Sequence, residues 1–202
     1  MFSLSWIHSY KEVFAATAIV LTFVAFIPYI VSILKTKVRP HVFSWVIWSI
    51  TTLTVYFAQW SEGAGVGAWS TGISGCVTVF IAVLAFIKRD DITITISDWI
   101  FFTLALMSLP LWYVVSDPMW TVIILTSIDV MAFGPTVRKT YAMPYSESIV
   151  FFAIFALRDF LVVLALEHYS VTTVLFPASI SISCVLLIAI IMFRRSVIKE
   201  IV

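Results

Sequence analysis

Three residues have side chains suited to chemistry in places where such side chains are rare: Asp129, Arg158 and Asp159. They interrupt two apolar runs, TVIILTSIDVMAF and SIVFFAIFALRDFLVVLAL. Charges at bilayer depth are costly. They face a bundle interior or a water-filled cavity, and they mark solute sites or proton relays. Asp129 lies eleven residues past Pro118, about 16 Å deep at the helical rise of about 1.5 Å per residue. Arg158 lies nine residues before Glu167, about 13 Å deep on the same rule. The matching depths predict that Asp129, Arg158 and Asp159 converge on one central site. Arg158 would hold an anionic group of a solute or pair with Asp129, and one carboxylate would titrate.

Adjacent helical positions point about 100° apart, so Arg158 and Asp159 are not expected to neutralise each other. The Arg158→Gln change is expected to abolish ligand binding with the fold intact. A structural ion pair that fixes one helix against another stays open beside this reading. The counterparts Thr22, Thr54 and Val55 earlier in the chain are uncharged, so the site would be asymmetric. Trp48, Tyr56, Ser74 and Ser181 are the further candidates for its lining.

Positioning such a site requires membrane helices, and the composition calls for them. Of 202 residues, 62% are hydrophobic and 11% charged, with mean hydropathy +1.10. A soluble domain is nearer a quarter charged. A span needs about 20 apolar residues, and seven segments qualify: 13–34, 41–60, 67–87, 98–115, 118–138, 145–166 and 172–193. The expected fold is therefore all-α with seven transmembrane helices. The start, MFSLSWIHSYKEV, has no basic n-region and reads as the beginning of a retained helix. Cys76 and Cys184 read as small buried hydrophobes.

Ten of the twelve Lys and Arg residues fall on one side of that topology: Lys35, Lys37, Arg39, Lys88, Arg89, Arg138, Lys139, Arg194, Arg195 and Lys199. In short loops this bias places them in the cytoplasm, which predicts an N-terminus outside and a cytoplasmic C-terminus, in a plasma or inner membrane. Trp60, Trp69, Trp112 and Trp120 near one face, with Trp45 and Trp99 near the other, read as interfacial anchors. The row Gly67, Thr71, Gly75 offers a small surface for close helix contact.

The chain also repeats itself. AFIP at 25–28 returns as AFGP at 132–135, and Pro40 with Ser44 returns as Pro144 with Ser148. SGCV at 74–77 returns as ISCV at 182–185. Pro28 to Pro135 is 107 positions, Pro40 to Pro144 is 104, and Cys76 to Cys184 is 108. This spacing predicts two parallel three-helix units, 1–92 and 118–202, joined by an inverting linker helix within 93–117. Parallel repeats of this kind build carriers.

In this 3+1+3 plan, with FIPYIVSILKTKVRPHVFSW as one copy of a motif and FGPTVRKTYAMPYSES as the other, the chain resembles the PQ-loop superfamily. That superfamily holds the SWEET and SemiSWEET sugar carriers, cystinosin-like exporters and KDEL receptors. Tyr29 and Thr136 stand where the motif has glutamine, and the chain has no asparagine where the sugar carriers place one. The resemblance implies hinge roles for Pro28, Pro40, Pro135 and Pro144. A proline inside a helix removes a backbone hydrogen bond and tends to kink it.

Other chemistries find no support. GISG at 72–75 resembles the serine motif of rhomboid proteases, but His8, His41 and His168 lie at segment ends or in loops, away from a serine that would need a histidine base. The seventh segment has no lysine for a retinal Schiff base. No Walker-type motif and no metal-spaced Cys/His cluster occurs, so neither metal nor cofactor is expected. A net charge of +1 gives no sign of a nucleic-acid partner. The sequence is thus read as a transporter of a small polar solute, not an enzyme. It would work by alternating access in a lipid bilayer, with proton coupling and homo-oligomerisation both open. The alternatives are a receptor of the same fold that does not transport, or a vitamin carrier of the PnuC type.

Overall fold

A computed structural model describes residues 4–36, 42–88, 96–115, 117–142, 144–145 and 149–198. Pro40, Lys37, Arg39, Arg89, Lys199 and the expected unit boundary at 92–93 lie outside them. The described residues form seven α-helices and no strand: α1 (Leu4–Leu34), α2 (Val42–Ser61), α3 (Gly67–Ile87), α4 (Ile96–Val115), α5 (Pro118–Ala142), α6 (Ile149–Ala165) and α7 (Val171–Val197). Each coincides with one expected segment. The largest difference is at α1, which begins nine residues before the expected start at 13.

Polarity is inverted relative to a soluble protein. Exposed Val20, Phe23, Val24, Ile27, Val31 and Leu34 follow one face of α1 at helical spacing, while Ala18, Thr22, Ala25 and Ile33 are buried on the other. Buried groups elsewhere include Thr51, Gln59, Ser70, Thr71, Asp129, Arg158 and Asp159. An apolar outside of this extent fits a lipid solvent, and the stretches Tyr10–Leu34, Gly67–Ile87 and Val171–Val197 are long and apolar enough to cross a membrane. Cys184 is buried as expected, but Cys76 is exposed. It faces outward from α3 beside exposed Val79, Phe80 and Val83, where a small apolar side chain suits lipid.

Helix α3 packs along both α1 and α2, and α7 along both α5 and α6. Further contacts join α1 to α6, α2 to α5, α3 to α6 and α2 to α7, with α4 against α2 and α5. One apolar core, Phe26, Ile33, Trp45, Ile81 and Ala82, joins α1, α2 and α3. Another, Phe152, Ala156, Cys184, Leu187 and Ile191, joins α6 and α7. A third, built from Ile47, Val55, Val122, Leu125, Ile128 and Phe176, ties α2 to α5 and α7.

Glycine permits the closest approaches of α3. A Cβ on Gly67 would come within 2.8 Å of the Leu166 backbone, one on Gly72 within 2.8 Å of the Tyr56 ring, and one on Gly75 within 2.6 Å of the Leu53 side chain. The small-residue row therefore serves two neighbours. Gly67 meets the end of α6, and Gly75, with Gly72 beside it, meets α2.

The loops at one end of the bundle are tied together across the chain. The Glu167 amide donates to the Ala64 carbonyl at 3.0 Å, and the Glu167 carboxylate accepts from the Val66 amide at 3.3 Å, beside the N-terminus of α3, where a negative charge is favoured. Gln59 Nε2 donates to the Thr173 carbonyl at 2.9 Å. A reciprocal pair of hydrogen bonds between Ser170 and Thr173 starts α7, satisfying two otherwise unpaired donors. At the opposite end, Lys88 Nζ donates to the Leu34 carbonyl at 2.8 Å. There Arg194 also lies over the Tyr141 ring at 3.9 Å while its Nε donates to the Tyr141 carbonyl.

Candidate functional site

A cavity of about 290 Å³ lies in the middle of the bundle. Its described lining comes from six helices: Phe26 of α1; Trp45, Trp48 and Thr52 of α2; Ser74 and Thr78 of α3; Asp129 and Phe133 of α5; Phe151, Phe152, Phe155, Arg158 and Asp159 of α6; Phe176, Ile180 and Cys184 of α7. Helical period explains the set. On α6, Phe152, Phe155 and Asp159 follow one face at spacings of three and four, as do Phe151, Phe155 and Arg158. On α5, Phe133 follows Asp129 by one turn, and on α3, Thr78 follows Ser74 by one turn.

Arg158 is 3% exposed and reaches across the bundle from α6. Its Nε donates to Thr22 Oγ1 of α1 at 3.1 Å, and its Nη2 donates to the Ser70 carbonyl of α3 at 2.9 Å. Thr22 spends its own proton on the Ala18 carbonyl at 2.9 Å, so its oxygen is free to accept from arginine. The third bond corrects the expectation from helical angles: Arg158 Nη1 donates to Asp159 Oδ1 at 2.5 Å. The 100° offset applies to Cβ directions, and the arginine stem is long enough to turn its fork back onto the neighbouring carboxylate.

Asp129 does not pair with Arg158, one of the two roles open to that arginine. It is 7% exposed and accepts from Thr51 Oγ1 at 3.5 Å, a long contact for a hydrogen bond. Thr51 also donates to the Trp48 carbonyl at 3.2 Å, so even this donor is shared. Asp159 is fully buried, and its second oxygen, Oδ2, has no hydrogen-bond partner among the described residues. A guanidinium with this many acceptors acts as a brace between helices. The expectation that Arg158→Gln would leave the fold intact is therefore replaced by one of lost stability.

Of the other candidates, Trp48 and Ser74 line the cavity and two do not. Tyr56 lies two turns past Trp48 on α2, and its ring packs over Gly72 and against Trp60. Ser181 donates to the Ala156 carbonyl at 2.9 Å, which ties α7 to α6 and spends its proton. Pro28 lies inside α1, and its carbonyl accepts from Ser32 Oγ at 2.8 Å. Pro135 falls within α5. Pro144 is buried in a turn before α6, and its carbonyl accepts from Arg195 Nε at 3.1 Å.

Trp45 is 8% exposed and belongs to the cavity wall rather than to an interfacial belt. It packs against Phe26, Tyr29 and Trp48. Trp60, Trp69, Trp99 and Trp120 are about half exposed. Thr52, Thr78 and most of the aromatic lining were not among the expected residues. The signal that could have found several of them is the one-turn spacing from Trp48, Ser74, Asp129 and Asp159.

Among the described residues, no group of three or more His, Cys, Asp and Glu side chains comes together as a metal site would require. No protein-family model, curated protein or solved structure matches the chain.

Proposed function

We propose that the protein is an integral membrane carrier that moves a small polar solute by alternating access, with its binding site in the central cavity. The observation that carries this reading is the lining itself. Six helices, three from each half of the chain, contribute to one polar-centred, aromatic-walled space, and small-molecule sites are commonly apolar clefts with a few convergent polar groups.

The packing supports two parallel units rocking about that site. Exchanging α1, α2 and α3 for α5, α6 and α7 maps the pattern of contacts among those six helices onto itself, and α4, packed on α2 and α5, would be the linker. The units would be 1–92 and 118–202, in a fold that resembles the PQ-loop superfamily. Phe26, Trp45, Phe133, Phe151 and Phe152 extend the cavity towards the end bearing Lys35, Lys88 and Arg194, whereas the hydrogen bonds of Gln59 and Glu167 tie the other end. Short basic loops belong in the cytoplasm, which would put that end and the C-terminus inside.

The test is access to the cavity. With Ser74→Cys in a Cys76→Ala, Cys184→Ala background, an impermeant maleimide should reach position 74 from either face of a vesicle. Labelling from one face alone would mean a receptor of this architecture and would end the carrier reading.

A further inference from the structure

We propose that the central site takes a small organic cation, a protonated amine on an apolar or aromatic body, rather than an anion or a polyol. This rests on the cavity being the ligand site, and it names the class of ligand.

The charge balance of the wall carries the inference. The described lining holds one cation, Arg158, and two carboxylates, Asp129 and Asp159. Each nitrogen of Arg158 already donates once, to Thr22, Ser70 and Asp159, and its charge is matched by the Asp159 carboxylate beside it. The expectation that arginine selects a carboxylate or phosphate solute therefore does not follow from this geometry. What is left over is negative. Asp129 has only the shared, long contact from Thr51, and Asp159 Oδ2 accepts nothing although the residue is fully buried. Buried acceptors without donors are rare in folded proteins, and a ligand N–H at Asp129, the carboxylate with some exposure, would supply a donor there.

The rest of the wall suits the body of such a ligand. Trp45, Trp48, Phe133, Phe152 and Phe155 present aromatic rings, whose negative faces attract cations. A polyol would need many hydrogen-bonding groups. Beyond its charged groups the described wall offers the hydroxyls of Thr52, Ser74 and Thr78, and the last already donates to the Gly75 carbonyl at 2.7 Å. A quaternary ammonium would meet the aromatic rings but bring no N–H for Asp129. The volume, about 290 Å³, is at the small end of ligand sites, which run from about 300 to 1,000 Å³.

Three probes of one shape separate the possibilities: phenethylamine, 2-phenylethanol and phenylacetate, binding to purified protein in detergent near neutral pH. The amine should bind at least about tenfold tighter than either of the others, a factor equal to about 1.4 kcal/mol. Asp129→Asn should remove that preference. Equal or tighter binding of phenylacetate or the alcohol, no binding of any probe, or an unchanged amine preference in Asp129→Asn would overturn the proposal. If Asp129→Asn does not fold, the comparison of probes on the unaltered protein decides alone. Amine-selective binding with one-sided access to position 74 would reject the carrier and keep the amine site, and two-sided access with phenylacetate preferred would do the reverse.

Discussion

Arg158 and Asp159, neighbours in sequence on α6, bond to each other through Nη1 and Oδ1 while both are buried. The pair is held in place by contacts from the first half of the chain, through Thr22 and the Ser70 carbonyl. The only full positive charge in the described cavity wall is thus part of what holds the two halves together.

Breaking this pair on one side should cost far more than removing it. Arg158→Met leaves Asp159 buried without a counter-charge, and such losses run to about 3–5 kcal/mol. The double change Arg158→Met with Asp159→Leu removes both charges and should recover most of that stability. Thermal unfolding in detergent of the unaltered protein, Arg158→Met, Asp159→Leu and the double variant measures the coupling. Equal losses in the single and double variants would show that the pair is not what matters.

Thr22 is the first half's side-chain contribution to the brace. Thr22→Val keeps the shape but leaves Arg158 Nε without its acceptor, a loss of about 1–3 kcal/mol on typical values for buried donors. Thr17→Val is a suitable control, since Thr17 is exposed and, among the described residues, bonds only to the Val13 carbonyl. A lower melting temperature for Thr22→Val, with Thr17→Val unchanged, is the expected result.

Gly67 sets how closely α3 approaches the end of α6. A Cβ there would meet backbone, which cannot swing away, so Gly67→Val should destabilise by about 1–3 kcal/mol through overpacking. Cys76→Val on the exposed face of the same helix should leave the melting temperature nearly unchanged. Similar effects for the two would mean that α3 does not pack as described.

The helices were legible because lipid forces backbone groups to pair within each segment and sets a minimum span length. Seven apolar runs bounded by charges therefore read directly as seven helices. The convergence of Asp129, Arg158 and Asp159 was also within reach, since depth follows from counting residues at a fixed rise. Side-chain outcomes were not. The bond from Arg158 to Asp159 depends on how a long flexible stem turns, which a helical wheel does not describe. Tyr56 continues the stripe of Trp48 and Thr52, but the cavity ends below it, where Gly72 gives its ring a place against α3. Ser181 was plausible by type, and its hydroxyl is taken up by a backbone carbonyl of α6.

The most direct measurement of the carrier account uses the tie between Ala64 and Glu167. Their backbones are hydrogen bonded, so Ala64→Cys with Glu167→Cys, added to the background carrying Ser74→Cys, should form a disulfide under mild oxidation. Once it forms, impermeant maleimide should reach position 74 only from the face bearing Lys35, Lys88 and Arg194. After reduction it should reach it from both. Labelling from the tied face while the disulfide is intact, or from a single face after its reduction, would contradict alternating access.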